Sequence, residues 1–141
     1  MSRLAQPNGD DYPDAARKHL LDAHALLTSE RLDGAAYLSG YVVECALKSL
    51  IVLEGKTPPR HHKIGDLRAE VNRLAVVAGA RAARYYGEAM RRLGAAAIAH
   101  WNPELRYRAA FTSAADAAAW YREADGVFRE TIQQMQLDGV I

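Results

Sequence analysis

Apolar residues recur along this chain at helical spacing and almost nowhere in the alternating pattern of a strand. Ala16, Leu20, Ala23 and Leu27 fall four, three and four residues apart, which at about 100° per residue places them on one face. Acidic residues and Pro13 ahead of that face predict a first helix that begins near Asp11 to Pro13 and runs to about Glu30. The turn Arg31-Leu32-Asp33-Gly34 follows, with Asp33 the expected N-cap. A second helix, from about Gly34 to Glu54, is apolar nearly all round, the pattern of a rod at the centre of a bundle. Its only charges before Glu54 are Glu44 and Lys48, four residues apart in the favourable order for an ion pair. Tyr37 and Tyr41 share their side of the rod, so the four residues form a single polar stripe.

Gly55 to His62 reads as a connection, because a glycine and two prolines stop the helix. From about Gly65 the helical period resumes, with Leu67, Val71 and Leu74 inward. After a break at Gly79, a further helix is expected from about Ala80 to His100 with Tyr86, Ala89, Leu93 and Ala97 inward, weakened by Gly87 and Gly94. Trp101 to Thr112 has no period and mixes aromatic with charged side chains, a loop of a length that is often functional. Ser113 with Asp116 three positions on opens a last helix to about Asp138, capped by Gly139 and burying Ala117, Trp120, Tyr121, Ala124, Val127, Phe128, Ile132 and Met135. The expected fold is all-α: an antiparallel up-and-down bundle of four to five helices in one domain over residues 1–141, with its core at about 13–138.

Composition narrows the function classes. The chain has 141 residues, half of them hydrophobic, and 27 alanines, the strongest helix formers. One cysteine, Cys45, cannot form an intrachain disulfide or a thiolate zinc cluster. The first residues hold no apolar run of the kind a signal peptide needs, and the long apolar stretch Gly34–Leu53 carries Glu44 and Lys48 near its middle. A cytoplasmic protein without a membrane span is therefore the expectation. The formal net charge of +1 conceals a basic middle, Arg60 to Arg108, with ten Lys/Arg against four Asp/Glu. Such a region attracts nucleic acid or phosphate, or meets acidic neighbours within the fold or in a second subunit.

Several chemistries lack their residues. No glutamate has a histidine three positions on, so the di-iron bundle pattern is missing. There is no glycine-rich phosphate loop and no nucleophile elbow. Adjacent His61 and His62 have no carboxylate at a matching ligand spacing and read as a polar loop, so neither metal nor cofactor is expected.

The run Asp33-Gly34-Ala35-Ala36-Tyr37-Leu38 through Tyr41-Val42-Val43-Glu44-Cys45-Ala46-Leu47-Lys48, then the connection with His61 and His62, then Arg106-Tyr107 before the final helix, resembles the HEPN family. The name denotes a small all-helical domain of higher eukaryotes and prokaryotes with proposed nucleotide binding, and the resemblance spans about Pro13 to Met135. It implies a bundle that usually dimerises, is often encoded beside a minimal nucleotidyltransferase, and in some members is an RNA-cleaving toxin. Ribonuclease members carry an Arg followed, after four to six residues, by a His. Here no His lies in that window after Arg106 or Arg108; Arg92 to His100 has seven intervening residues, and Arg17 to His24 has six but lies on the first helix, where the family does not place the motif.

Three readings follow. In the first the chain is a non-catalytic binding module, a homodimer recognising a nucleotide, RNA or a partner nucleotidyltransferase, in a toxin–antitoxin-like pair. Its ligand-binding residues would be Tyr37, Tyr41, Glu44, Lys48, Trp101, Arg106, Tyr107 and Arg108, with the Trp101–Arg108 loop folded back on the stripe and Glu44 and Lys48 holding Arg106 towards a phosphate. In the second it is a metal-independent ribonuclease using His100, or His61 with Arg106, as acid and base. In the third it is a structural assembly subunit, and the stripe only fixes helix register.

Overall fold

The computed structural model describes residues 1–141, and four long helical segments carry the architecture. Helix α1, Tyr12–Thr28, starts where Asp11 accepts a hydrogen bond from the Asp14 backbone N–H at 3.2 Å, with Pro13 in its first turn. Ala16 and Ala23 are fully buried while Leu20 and Leu27 are half-buried, so the predicted face is the one that packs. Helix α2, Leu32–Leu53, is the central rod and packs against α1, α3 (Ile64–Ala75) and α5 (Ala114–Phe128). It is the one helix long and apolar enough to cross a membrane, and 78% of its most apolar window is buried inside the protein. Gly55, at φ 70°, ends it with the paired bonds from Gly55 N–H to the Val52 carbonyl and from Lys56 N–H to the Ile51 carbonyl.

Asp33 is not the N-cap. Helix α2 begins two residues before the expected Gly34, at Leu32, and the Asp33 carboxylate instead accepts from the backbone N–H groups of Phe111 and Thr112 at 3.1–3.2 Å. It thereby ties the start of the central helix to the loop that carries Trp101 and Arg106. Asp33→Ala would leave those two N–H groups to water. We expect a loss of about 1–2 kcal/mol, read by urea denaturation, together with faster hydrogen exchange at Phe111 and Thr112.

The helix expected over Ala80 to His100 is not continuous. The chain forms a 3-10 turn at Ala82–Tyr85, a short α4 at Glu88–Arg92 and further 3-10 turns at Ala97–His100 and Pro103–Tyr107. Alanine propensity loses here to packing. Ala82, Tyr85, Ala89, Met90, Leu93, Ile98, Trp101 and Leu105 are each buried against the bundle, at intervals that one straight rod would not satisfy. Tyr86 and Ala97, expected inward, are half-buried and exposed. Gly87 marks the main break: its backbone is extended, and the Glu130 carboxylate fills the space its side chain would take, accepting from Ala89 N–H at 2.8 Å.

The last helical segment starts at the predicted cap, Ser113 Oγ accepting from Asp116 N–H at 3.1 Å. Helix α5 widens into a π turn at Arg129–Gln133 and continues as α6, Gln134–Leu137. Thr131 Oγ donates to the Val127 carbonyl at 2.6 Å within that widening. Gly139, at φ 71°, closes the segment. Trp120 and Tyr121 are half-buried rather than core, resting against Phe111 and His24.

Candidate functional site

The polar stripe of α2 divides at Tyr41 into two halves with different neighbours. In the first half, Tyr37 and Tyr41 bring their hydroxyls to 3.1 Å, and Trp101 lies across both rings. The indole N–H donates to the Tyr37 carbonyl at 2.9 Å, and its ring meets Tyr41 edge to face at 4.7 Å between centroids. This approach requires Gly40, since a Cβ there would fall well inside the 3.0 Å that such atoms do not cross. Trp101 is 2% exposed, which makes it a clamp between the loop and the central helix and leaves no face for stacking a base.

Past the clamp, Leu105 is buried and Arg106 emerges at the surface. The Arg106 guanidinium donates to the Tyr107 hydroxyl at 3.0 Å and lies over the Tyr107 ring at 4.8 Å from its centroid. The phenols beside it, Tyr107 first and then Tyr37, raise its pKa further and keep it a cation at all relevant pH. None of the ion pairs in the protein involves Arg106 or Arg108. Tyr107 is 75% exposed, so the pair presents an open aromatic and guanidinium surface beside Tyr37. Burial, then the Tyr37 hydrogen bond, raise the Tyr41 pKa, so its hydroxyl stays protonated and is no nucleophile at neutral pH.

In the second half, Glu44 and Lys48 are each 4% exposed and pair at 2.8 Å. The expectation that this pair holds Arg106 is overturned: the free side of Glu44 is taken by His62, whose Nδ1 is 3.0 Å from both carboxylate oxygens. His62 comes from the connection between α2 and α3 and stays partly exposed, its side chain 45% accessible. The carboxylate fixes Nδ1 as a donor and leaves Nε2 on the opposite edge of the ring. The sequence contained a signal for this residue, since a buried carboxylate with a single lysine partner has lone pairs to fill and the connection that follows the helix offers hydrogen-bond donors, His61 and His62 among them. Which of the two would reach it was a matter of loop geometry.

A cleft of about 580 Å³ opens over this half. Its lining comes from three parts of the chain: Tyr41, Glu44 and Lys48 of α2, Thr57, Arg60 and His62 of the connection, and Gln6, Asn8, Asp10 and Asp11 of the N-terminal segment. Cys45 also borders it, but burial, with Glu44 adding to it, pushes the thiol up to about 12, so it is an inert thiol at neutral pH. The remaining candidates lie apart from this arrangement. His61 Nδ1 accepts from the Lys63 backbone N–H at 3.2 Å, and His100 is exposed at the end of a 3-10 turn. No group of three His, Cys, Asp or Glu side chains is arranged to hold a metal ion.

The site thus joins a half-exposed histidine on a buried ion pair, through Tyr41, to an unpaired arginine on a tyrosine ring. A family model described as HEPN domain matches residues 11–134, which takes in every residue of this arrangement except Gln6, Asn8 and Asp10 of the cleft lining. Neither a curated protein nor a solved structure matches the chain significantly. The match runs from the first turn of α1 through the π turn, and the chain belongs to the HEPN domain family.

Proposed function

We propose that this protein is a non-catalytic module that binds a nucleotide or RNA across the two halves of the stripe. Membership of the HEPN family supports a nucleotide- or RNA-related function at the coarse level. The observation that carries the finer reading is Arg106, an exposed guanidinium bonded to the Tyr107 hydroxyl and matched to no carboxylate, on a largely exposed tyrosine ring. A guanidinium fork binds phosphate through two parallel hydrogen bonds, and the Tyr107 ring offers a base a stacking face. A nucleotide seated in the cleft has Arg60 and His62 beside it, and a longer strand continues over Tyr41 onto Arg106, Tyr107 and Arg108.

The test is titration with AMP, ATP and short single-stranded RNA at low and high salt. Arg106→Ala is expected to weaken RNA binding about ten- to a hundredfold, the scale of a charge-assisted pair, with the melting curve unchanged because the side chain is exposed. Absence of binding to every ligand, or binding indifferent to the substitution, overturns the reading. The same reading has the chain acting as a cytoplasmic homodimer beside a nucleotidyltransferase partner, in a toxin–antitoxin-like pair. What supports that is the family's usual arrangement, and light scattering of the purified chain with and without the partner tests it.

A second reading, a metal-independent ribonuclease, is favoured by one observation: His62 is oriented by a buried carboxylate, the arrangement of a general base and its orienting group. It moves the acid/base role from His61 or His100 to His62. Incubating bound RNA in EDTA separates the two readings: intact RNA supports the binding module, and cleavage abolished by His62→Gln supports the nuclease.

A further inference from the structure

Tyr41 belongs to both halves of the stripe, and a side chain from another helix lies against it. His19 of α1 stacks on the Tyr41 ring, with 5.3 Å between centroids and 29° between planes. Helix α1 runs alongside the stripe: Lys48 Nζ lies over the Tyr12 ring at 5.7 Å from its centroid, Ala15 borders the cleft, and His19 follows one turn on. His19 itself takes no part in the cleft lining. Its contact with Tyr41 puts it where the cleft ends and the way to Arg106 begins.

The two ring nitrogens of His19 have different surroundings. Nδ1 is buried and has no hydrogen-bond partner. Nε2 lies on the accessible edge of the half-buried ring, and no group of the protein bonds it. A buried N–H with nothing to accept it costs more than a buried lone pair, so the proton sits on Nε2. Burial, then the Lys18 charge, lower the His19 pKa, which keeps the ring neutral at neutral pH. His62 has the reverse arrangement, its Nδ1 turned to the Glu44 carboxylate. One N–H donor beside Tyr41 is thus left without an acceptor.

A ligand confined to the cleft leaves that donor unused, whereas a strand that continues over Tyr41 towards Arg106 passes it. At the rise of an α-helix, Tyr37 and Lys48 stand about 16 Å apart along the rod, the length of about five stacked nucleotides. Such a strand carries an ionised phosphodiester at every step, and a hydrogen bond to a charged oxygen is among the stronger ones. We propose that His19 is a ligand-contacting residue that selects a single-stranded RNA spanning both halves of the stripe over a mononucleotide filling the cleft alone, by donating its Nε2–H to a phosphodiester oxygen at the crossing of Tyr41. The inference rests on the reading of the stripe as a nucleotide- or RNA-binding site.

The experiment is calorimetric titration of the full chain, at one ionic strength, with AMP and with a single-stranded RNA of about five nucleotides. His19→Phe keeps a ring on Tyr41 and drops the unpartnered Nδ1, so its melting temperature should not fall. It should weaken RNA binding about tenfold, the scale of one lost hydrogen bond to a charged group, and leave AMP unchanged. His19→Gln, whose amide nitrogen takes the place of Nε2, should bring RNA binding back to within about threefold of the wild type. RNA binding that Arg106→Ala weakens and His19→Phe leaves intact overturns the role of His19 and leaves the reading of the site standing. Equal loss of AMP and RNA in His19→Phe, or a glutamine variant as weak as the phenylalanine one, makes His19 a packing residue and overturns the inference likewise. Failure of both ligands to bind the wild type overturns the reading of the site and this inference with it.

Discussion

Gly40→Ala should cost the protein about 3 kcal/mol, the upper part of the usual range for forcing bulk into a packed interior. In a chain of this length that corresponds to a fall in Tm of roughly 10 °C. The added methyl group meets the Trp101 ring, and the ring has no room to yield: its N–H is bound to the Tyr37 carbonyl and its edge rests on Tyr41. Either α2 shifts or the loop lifts, and the loop carries buried Leu105 and the Arg106 guanidinium with it. The variant should therefore lose affinity for nucleotide or RNA as well as stability. Gly65→Ala is the control, since nothing lies within 4 Å of a Cβ there and alanine favours the helix by up to about 1 kcal/mol. Thermal melts in which the two variants behave alike would remove the clamp from the account of the site.

Lys48→Ala is the second large effect. It leaves Glu44, 4% exposed, without its cation, and breaking one side of a buried pair costs about 3–5 kcal/mol. The paired change Glu44→Gln with Lys48→Met removes both charges at similar volume and is expected to cost much less than either single change, because no uncompensated charge is left behind. The pair of measurements also separates function from structure. If the stripe is a binding wall, the doubly neutral variant is stable but binds nucleotide weakly, since His62 has lost the carboxylate that orients it. If the stripe only fixes helix register, stability changes and affinity does not. Urea denaturation and ligand titration on the same three proteins decide between them.

The helical bundle could be read from the chain because its causes are local and periodic. Ala16 and Ala23 on α1, the unbroken apolar run of α2 and the Leu67, Val71, Leu74 face of α3 each declare a buried side without reference to anything else. Caps at Asp11 and Ser113 and stops at Gly55 and Gly139 act within a few residues, so their positions were legible too. The stretch from Ala80 to His100 was misread for the opposite reason: its alanines favour a helix, while its actual path depends on where Tyr85, Met90, Leu93 and Ile98 find room against helices far away in sequence.

The candidate site divides along the same line. Spacing alone put Tyr37, Tyr41, Glu44 and Lys48 on one side of α2 and paired the two charges, because all four ride on one rigid element. Which side chains would come to them was settled only by the packed molecule. Trp101 reached Tyr37 and Tyr41 because Gly40 leaves a gap there, His62 rather than Arg106 filled the lone pairs of Glu44, and Asp33 left its expected cap to hold Phe111 and Thr112. Contacts between residues 18 to 79 positions apart depend on the direction in which each loop leaves its helix, and that direction is the outcome of burying the whole core at once.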